Sequence, residues 1–161
     1  MKRINIWGGP GCSKSTIAAK IYHEMKVAGQ KVEVVRERIK SFAYMGRHPT
    51  FSERLRFFYE ELEEETFCWE QNISVVSDSP LFLACYYYQK QGHPFAQQLI
   101  DISHKFEELC PSENWFVVRP TNLVYDAVGR FENAEEAKKV DAELLDFVKG
   151  LNLKHLEFYK G

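Results

Sequence analysis

The stretch that decides the fold is Gly8-Gly9-Pro10-Gly11-Cys12-Ser13-Lys14-Ser15-Thr16. It follows a short apolar segment, residues 4–7, and opens a segment with helical periodicity. This order of strand, glycine-rich loop and helix is that of the phosphate-binding motif Gly-x-x-x-x-Gly-Lys-Ser/Thr, except that Ser13 occupies the second glycine position. Glycines let backbone N–H groups point at phosphate oxygens, and the first helical turn adds unpaired N–H donors. The stretch therefore predicts a site for the phosphates of a nucleotide.

Three side chains of this loop have specific expected roles. Lys14 should neutralise the β- and γ-phosphates, the Ser15 hydroxyl should bind Mg²⁺, and Thr16 should lie nearer the α-phosphate. A glycine-rich turn could mimic the motif by chance, but the required order of elements argues against that alternative. The residues expected to bind the nucleotide are Gly8, Gly9, Pro10, Gly11, Cys12, Ser13, Lys14, Ser15 and Thr16.

Two positions of the loop leave alternatives open. A serine at position 13 costs little if the backbone there is helical, but on the order of 1 kcal/mol or more if φ is positive. We expect the tolerable case for Ser13. Cys12 lies near a helix N-terminus, where the pKa of a thiol tends to fall, so its oxidation could block nucleotide binding. The favoured alternative is that Cys12 only fills space.

Length and composition restrict the class of protein. The 161 residues suit one domain over residues 1–161. With 21 basic and 23 acidic residues, the chain has no net positive charge that would attract nucleic acid. The four cysteines are scattered without metal-ligand spacing, which is typical of reduced thiols in the cytoplasm. The longest strongly apolar run, residues 81–88, is far shorter than the ~20 residues of a membrane helix. We expect a cytoplasmic protein that does not span a membrane.

Hydrophobic periodicity predicts strands alternating with helices along the chain. Expected strands cover residues 4–7, 32–35, 73–76, 115–118 and 156–159, and expected helices cover residues 15–28, 51–69, 81–91, 95–109 and 133–150. Residues 36–49 form a polar connector, and the glutamates within residues 60–65 are expected on a solvated helix face. The pattern predicts a parallel five-stranded sheet with helices on both faces and ligands beyond the carboxyl ends of the strands. Together with the phosphate-binding motif, this is an α/β P-loop NTPase fold, and we expect a lid-like loop after the fourth strand.

Two carboxylates and two arginines follow predicted strands. Asp78 directly follows the third strand, where it could hold Mg²⁺ or accept the proton of an attacking hydroxyl. It could at the same time cap the next helix. Glu37 follows the second strand and is the rival candidate for the base, unless it pairs with a neighbouring arginine. Arg119 and Arg130 follow the fourth strand and could neutralise a transferring phosphoryl group, or make ordinary salt bridges.

Three consecutive tyrosines, residues 86–88, are a further candidate contact for a nucleotide. An aromatic side chain here could stack on a base. Consecutive helix positions face different directions, so at least one of these tyrosines should lie in the core and one should be exposed.

Four segments together carry a resemblance to a known family. They are the phosphate loop, Arg36-Glu37-Arg38-Ile39-Lys40, Ser77-Asp78-Ser79-Pro80 and the segment from Gly129-Arg130 to Ala137. Over residues 4–147 the chain resembles the small P-loop kinases of the AAA group that are related to the nicotinamide riboside kinase domain, many of them encoded by bacteriophages. The resemblance implies ATP, Mg²⁺, a catalytic carboxylate near Glu37 or Asp78, a lid arginine at Arg130 and, for a phage protein, the host cytoplasm.

Relatives in this family act on different acceptors. They include kinases of nucleosides and nucleotides and phage enzymes that phosphorylate 5-hydroxymethyluracil within DNA. The resemblance therefore implies transfer of the γ-phosphoryl group of ATP to a hydroxyl of a nucleoside-like acceptor, either free or in DNA. The alternative is an ATP-hydrolysing switch or interaction module. Two candidate carboxylates and a lid-like loop favour the kinase.

Overall fold

The computed structural model describes residues 1–121, 124–126 and 128–159. Its centre is a five-stranded, all-parallel sheet in the order β2-β3-β1-β4-β5. The strands are β1 (Arg3–Trp7), β2 (Val32–Val35), β3 (Ser74–Ser77), β4 (Glu113–Val117) and β5 (Leu156–Tyr159). The helices are α1 (Lys14–Val27), α2 (Lys40–Tyr44), α3 (Phe51–Glu70), α4 (Leu81–Lys90), α5 (Ala96–Leu109) and α6 (Ala134–Gly150). The predicted fold class, a parallel sheet with helices on both faces, is confirmed.

The central strand β1 supplies one hydrophobic cluster to each face of the sheet. Ile4 and Ile6 pack with buried residues of α1 on one face. Trp7, which is fully buried, packs on the other face with residues of α3, α4, α5 and α6. Because strand side chains alternate between faces, helices cover this short strand on both sides. The phosphate loop directly follows its carboxyl end and therefore lies at the middle of the sheet edge.

Two helices begin with side-chain caps. Thr50 caps α3 and Asn133 caps α6, and each has a glutamate three residues later that completes a capping box. The boundary that the sequence predicted for α6, with Asn133 as the cap and Glu136 as its partner, is confirmed. The first turns of both helices are therefore fixed by side-chain hydrogen bonds.

The expectation for the polar connector and two strand boundaries needs correction. The connector over residues 36–49 contains α2, a helix of five residues whose Phe42 is buried. Its apolar content is too small to give a periodic signal, and packing against α3 helps to stabilise it: the Phe42 ring makes an edge contact with Phe57. Strand β3 begins and ends one residue later than predicted, and β4 begins two residues earlier and ends one residue earlier.

The acidic run of α3 is not simply a solvated face, contrary to the expectation. Glu61 and Glu65 are buried, with 3% and 1% of their surface exposed. Glu65 accepts a hydrogen bond from Arg3 of β1, and the Arg3 guanidinium also binds Glu107 of α5. Helical spacing of four placed both glutamates on the inward face, and the sequence alone did not reveal the arginine on β1 that pairs with one of them.

Candidate functional site

A cleft of about 330 Å³ lies beyond the carboxyl ends of the strands. Four parts of the chain form its walls: the phosphate loop, the connector after β2, the facing sides of α3 and α4, and the segment after β4. A cleft of this size falls within the range of small-molecule sites. Its location is that expected for a ligand of an open α/β sheet.

The phosphate loop forms the floor of this cleft. Residues Pro10 to Thr16 all line it, and the hydroxyl-bearing residues Ser15 and Thr16 are exposed to it. The Lys14 ammonium donates a hydrogen bond to the Gly9 carbonyl at 3.1 Å, so its charge lies at the loop and not in a salt bridge. Free backbone donors of the first turn of α1 add to this charge. The floor therefore presents the groups that a phosphate chain with Mg²⁺ needs.

The backbone at Ser13 differs from the tolerable case that we expected. Ser13 has φ 64° and ψ 22°, in the left-handed region, and its side chain makes no cap hydrogen bond to α1. A left-handed conformation costs an L-residue with a Cβ roughly 1–2 kcal/mol, which is why a glycine is usual at such positions. The loop geometry is thus retained with a serine, at a local energetic cost.

Asp141 of α6 holds the outer side of the phosphate loop. Its Oδ1 accepts hydrogen bonds from the Gly9 N–H at 3.0 Å and from the Cys12 thiol at 3.2 Å. A Cβ at position 9 would lie only 2.2 Å from this oxygen, so the close approach requires Gly9. No sequence signal marked Asp141, because helix periodicity does not reveal a carboxylate that reaches a loop far away in sequence.

Arg119 is part of the same network. Its Nε donates to Asp141 Oδ2 at 2.5 Å and its Nη2 donates to the Pro10 carbonyl at 2.7 Å. Arg119 does not line the cleft among the residues that the structure describes. The ordinary salt bridge, which was one of the two alternatives for this residue, is the arrangement found. Arg119 therefore positions the phosphate loop from behind.

Cys12 is not the activated thiol that a helix N-terminus suggested. It is 1% exposed, and burial together with the nearby Asp141 carboxylate raises the pKa of the Cys12 thiol to about 11. The thiol stays protonated near neutral pH, and protonated thiols are poor nucleophiles. The thiol instead donates a hydrogen bond to Asp141 and helps to hold the loop.

Glu37 and Asp78 occupy different places at the sheet edge. Glu37 is partly buried and lines the cleft, and burial raises the pKa of its carboxyl while Lys14 opposes that rise. Asp78 is buried and does not line the cleft among the described residues. Its Oδ1 accepts a hydrogen bond from the Glu37 N–H at 3.1 Å. Pro80, not Asp78, precedes the first residue of α4, so the expected helix-capping role of Asp78 is wrong.

A small recess continues the cleft inward between α3 and α4. Its volume is about 20 Å³, and it is lined by Glu37, Arg54 and Glu61 together with apolar side chains. Glu61 accepts a weak hydrogen bond from the Ser79 hydroxyl at 3.4 Å. Burial, and then repulsion from Glu65 and Glu37, raise the pKa of Glu61 well above its usual range. The Glu61 carboxyl therefore holds its proton more readily than an exposed glutamate does.

Two chain segments meet above the cleft. The ring of His48, from the connector, stacks on Phe131 at 4.2 Å between centroids. The ring of Tyr44 lies against Gly129, where an added Cβ would approach it to 2.6 Å. These contacts join the connector to the segment after β4, so the lid-like part of the chain already covers the cleft.

Arg130 belongs to this cover and faces the floor. Its guanidinium lies over the Tyr125 ring, 5.3 Å from the centroid, and its Nη1 is buried without a hydrogen-bond partner among the described residues. Arg130 also lines the cleft. A buried guanidinium nitrogen without a partner is costly unless a ligand satisfies it, and an anionic oxygen would do so.

Two further residues of the cleft were missed or only partly foreseen. Arg54 of α3 is 7% exposed and lines both the cleft and the recess, yet no sequence signal distinguished it from the surface arginines around it. Of the three tyrosines, Tyr86 and Tyr88 are buried, and Tyr87 is partly buried and lines the cleft. One tyrosine was expected to be exposed, and none is, because α4 packs against neighbours on both sides.

The described residues contain no cluster of three or more histidine, cysteine, aspartate or glutamate side chains that could hold a metal ion. A Mg²⁺ ion held by one hydroxyl, waters and phosphate oxygens needs no such cluster, so Ser15 suits that mode of binding. Within residues 1–121, 124–126 and 128–159, no helix is both long and apolar enough to cross a membrane.

Comparison with known proteins identifies the family. No curated protein matches the sequence. A solved structure, described as the crystal structure of APE1195, is similar at 19% identity and a TM-score of 0.43, covering 98% of this chain and 84% of that one. The family described as AAA domain matches residues 3–161. Since the match covers nearly the whole chain and the cleft is built around a phosphate loop, the protein belongs to the AAA domain family of P-loop nucleotide-binding proteins.

Proposed function

We propose that the protein is an ATP-dependent kinase that transfers the γ-phosphoryl group to a hydroxyl of a nucleoside-like acceptor, either free or within DNA. The observation that carries this proposal is the position of Glu37, whose partly buried carboxylate lines the same cleft as the phosphate loop. Glu37 makes no ion pair with a described residue, so its oxygens are available to an incoming hydroxyl.

The cleft divides into a donor side and an acceptor side. On the donor side, Lys14 and the backbone donors of the loop would hold the phosphates, and Ser15 would hold Mg²⁺, which draws charge from the transferring group. Arg130 reaches the donor side from above, with a buried nitrogen that an anionic oxygen would satisfy. On the acceptor side, Glu37 would accept the proton of the attacking hydroxyl.

The environment of Glu37 suits this role. Burial raises the pKa of the Glu37 carboxyl, and a base whose pKa approaches the working pH combines ionisation with proton affinity. Asp78 fixes the backbone of Glu37 through its N–H. We therefore assign proton acceptance to Glu37 and a positioning role to Asp78, with a contribution of Asp78 to Mg²⁺ through water as the remaining alternative.

The test is phosphoryl transfer from labelled ATP to a panel of nucleosides, nucleotides and hydroxymethylated DNA. Lys14→Ala should abolish tight binding of ATP with Mg²⁺ in calorimetric titration and leave the fold intact, because Lys14 is a cleft residue. Lys20→Ala, an exposed change in the same helix, is the matched control and should bind as the wild type does. A folded Lys14→Ala protein with unchanged affinity would remove the nucleotide site. Hydrolysis of ATP without any labelled acceptor would favour the switch.

A further inference from the structure

Arg54 is a buried cation without a partner. Only 7% of its surface is exposed, and its side chain makes no hydrogen bond or ion pair with any described residue. Burial lowers the pKa of the Arg54 guanidinium, while Glu132 and Glu37 lie close enough to act on it only through space. In the same helix, the exposed Arg56 pairs with Glu60 at 3.3 Å. Because Arg54 lines the cleft and is largely buried, its unpaired guanidinium is partly desolvated and open to a ligand that supplies oxygen acceptors.

The surroundings of Arg54 decide which acceptors suit it. The recess beside it holds about 20 Å³, enough for one water or one oxygen atom but not for a phosphate group. Phe57, Phe58 and Leu83 line the recess, and its polar side chains include the carboxyls of Glu37 and Glu61. A phosphate dianion would lose its hydration there and would also face the carboxylate of Glu37. An uncharged carbonyl oxygen meets neither obstacle.

Tyr87 supplies an aromatic face in the same place. It lines the cleft and the recess, as Arg54 does. A planar ring that packs against Tyr87 would present its edge toward the recess, where the planar guanidinium can donate N–H hydrogen bonds to a single oxygen atom. The combination of an aromatic wall, a planar donor and room for one oxygen atom is suited to the edge of a nucleobase that bears a carbonyl.

We propose that Arg54 recognises the acceptor through a carbonyl oxygen on its base, so that the acceptor is a nucleoside unit with an oxo base of the uracil or guanine type. This inference rests on the proposal that the cleft holds the acceptor. It adds a specificity-determining residue and a substrate class, because adenine has no carbonyl and would leave the Arg54 guanidinium unpaired. The oxo base lies against α3 and α4, away from the phosphate loop that takes ATP.

The test is equilibrium binding to the wild-type chain loaded with a non-hydrolysable ATP analogue and Mg²⁺. The ligands are uridine, guanosine, adenosine, uridine 5′-monophosphate, oligodeoxythymidylate and oligodeoxyadenylate. Wild-type protein should bind the oxo-base ligands, and Arg54→Met should weaken that binding at least tenfold while its affinity for the ATP analogue stays the same. Arg56→Met, the exposed change two residues away, should leave every affinity unchanged. Arg54→Met should melt at or above the wild-type temperature, which a merely structural arginine would not allow.

Several results would overturn the inference. One is an Arg54→Met protein that keeps the wild-type affinity for uridine, guanosine and oligodeoxythymidylate. A second is a wild-type protein that binds none of these three. A third is a loss for the monophosphate with none for uridine, which would make Arg54 a phosphate contact. Because no turnover is needed, Arg54-dependent binding without phosphoryl transfer would leave the inference standing and remove only the kinase proposal.

Discussion

Replacing Ser13 by glycine should stabilise the protein, and the magnitude follows from the backbone. Ser13 has φ 64°, and this left-handed conformation costs a residue with a Cβ about 1–2 kcal/mol. A glycine removes that cost but adds freedom to the unfolded chain, which takes back about 0.4–1 kcal/mol. The serine hydroxyl makes no cap hydrogen bond and its side chain is exposed, so no contact is lost. The net gain in the free energy of unfolding should be about 1 kcal/mol.

Urea unfolding measures this gain directly, with an unchanged slope and a higher midpoint for Ser13→Gly. The melting temperature should rise by about 2–4 °C, the change that 1 kcal/mol produces in a domain of this size. Ser13→Ala is the matched control, because it removes the hydroxyl and keeps the Cβ, and it should lie close to the wild type. Affinity for ATP with Mg²⁺ should be equal or slightly higher in Ser13→Gly.

The result that would refute the reasoning is a Ser13→Gly protein no more stable than Ser13→Ala. Equal gains in both variants would mean that loss of the hydroxyl, and not relief of backbone strain, is responsible. A large loss of nucleotide affinity in Ser13→Gly would show that the hydroxyl takes part in binding, in spite of its lack of a partner in the loop.

Two further predictions concern buried and partly buried carboxyls. Glu37→Gln should keep much of the affinity for ATP and lower the single-turnover rate by roughly 10²–10⁴-fold, the usual loss when a general base is removed. Asp78→Asn should lower the rate less and should mainly raise the concentration of Mg²⁺ that the reaction requires. Full rates for both variants across a Mg²⁺ series would contradict the kinase proposal. Burial raises the pKa of the Glu61 carboxyl in the folded protein. The contribution of Glu61 to stability is therefore fully present below the ordinary glutamate pKa, and it is lost as pH rises through the folded-state pKa. Glu61→Gln should therefore gain stability relative to the wild type as pH rises from about 4.5 toward neutrality. Urea unfolding at several pH values measures this gain, and parallel curves for the two proteins would show that folding does not raise the pKa of Glu61.

The local patterns of the sequence were enough to predict most elements of the fold. Residues 8–16 identified the strand, loop and helix at the centre of the sheet, and the Asn133 cap located the start of α6. These signals are short-range, because capping, turn chemistry and apolar periodicity depend on neighbours within a few residues. The five-residue α2 gave no such signal, since one buried Phe42 cannot define a period.

The sequence by itself predicted that a nucleotide's phosphates would meet backbone donors and Lys14 at the end of a central strand. Only the tertiary structure decided which charges face the ligand. Arg119 and Asp141 lie behind the loop, Arg54 lines the cleft without a partner among the described residues, and Glu61 is buried, which raises the pKa of its carboxyl. The reason is that the ionic state and the partner of a side chain depend on groups from other elements brought near it, with distances and burial that no local pattern encodes.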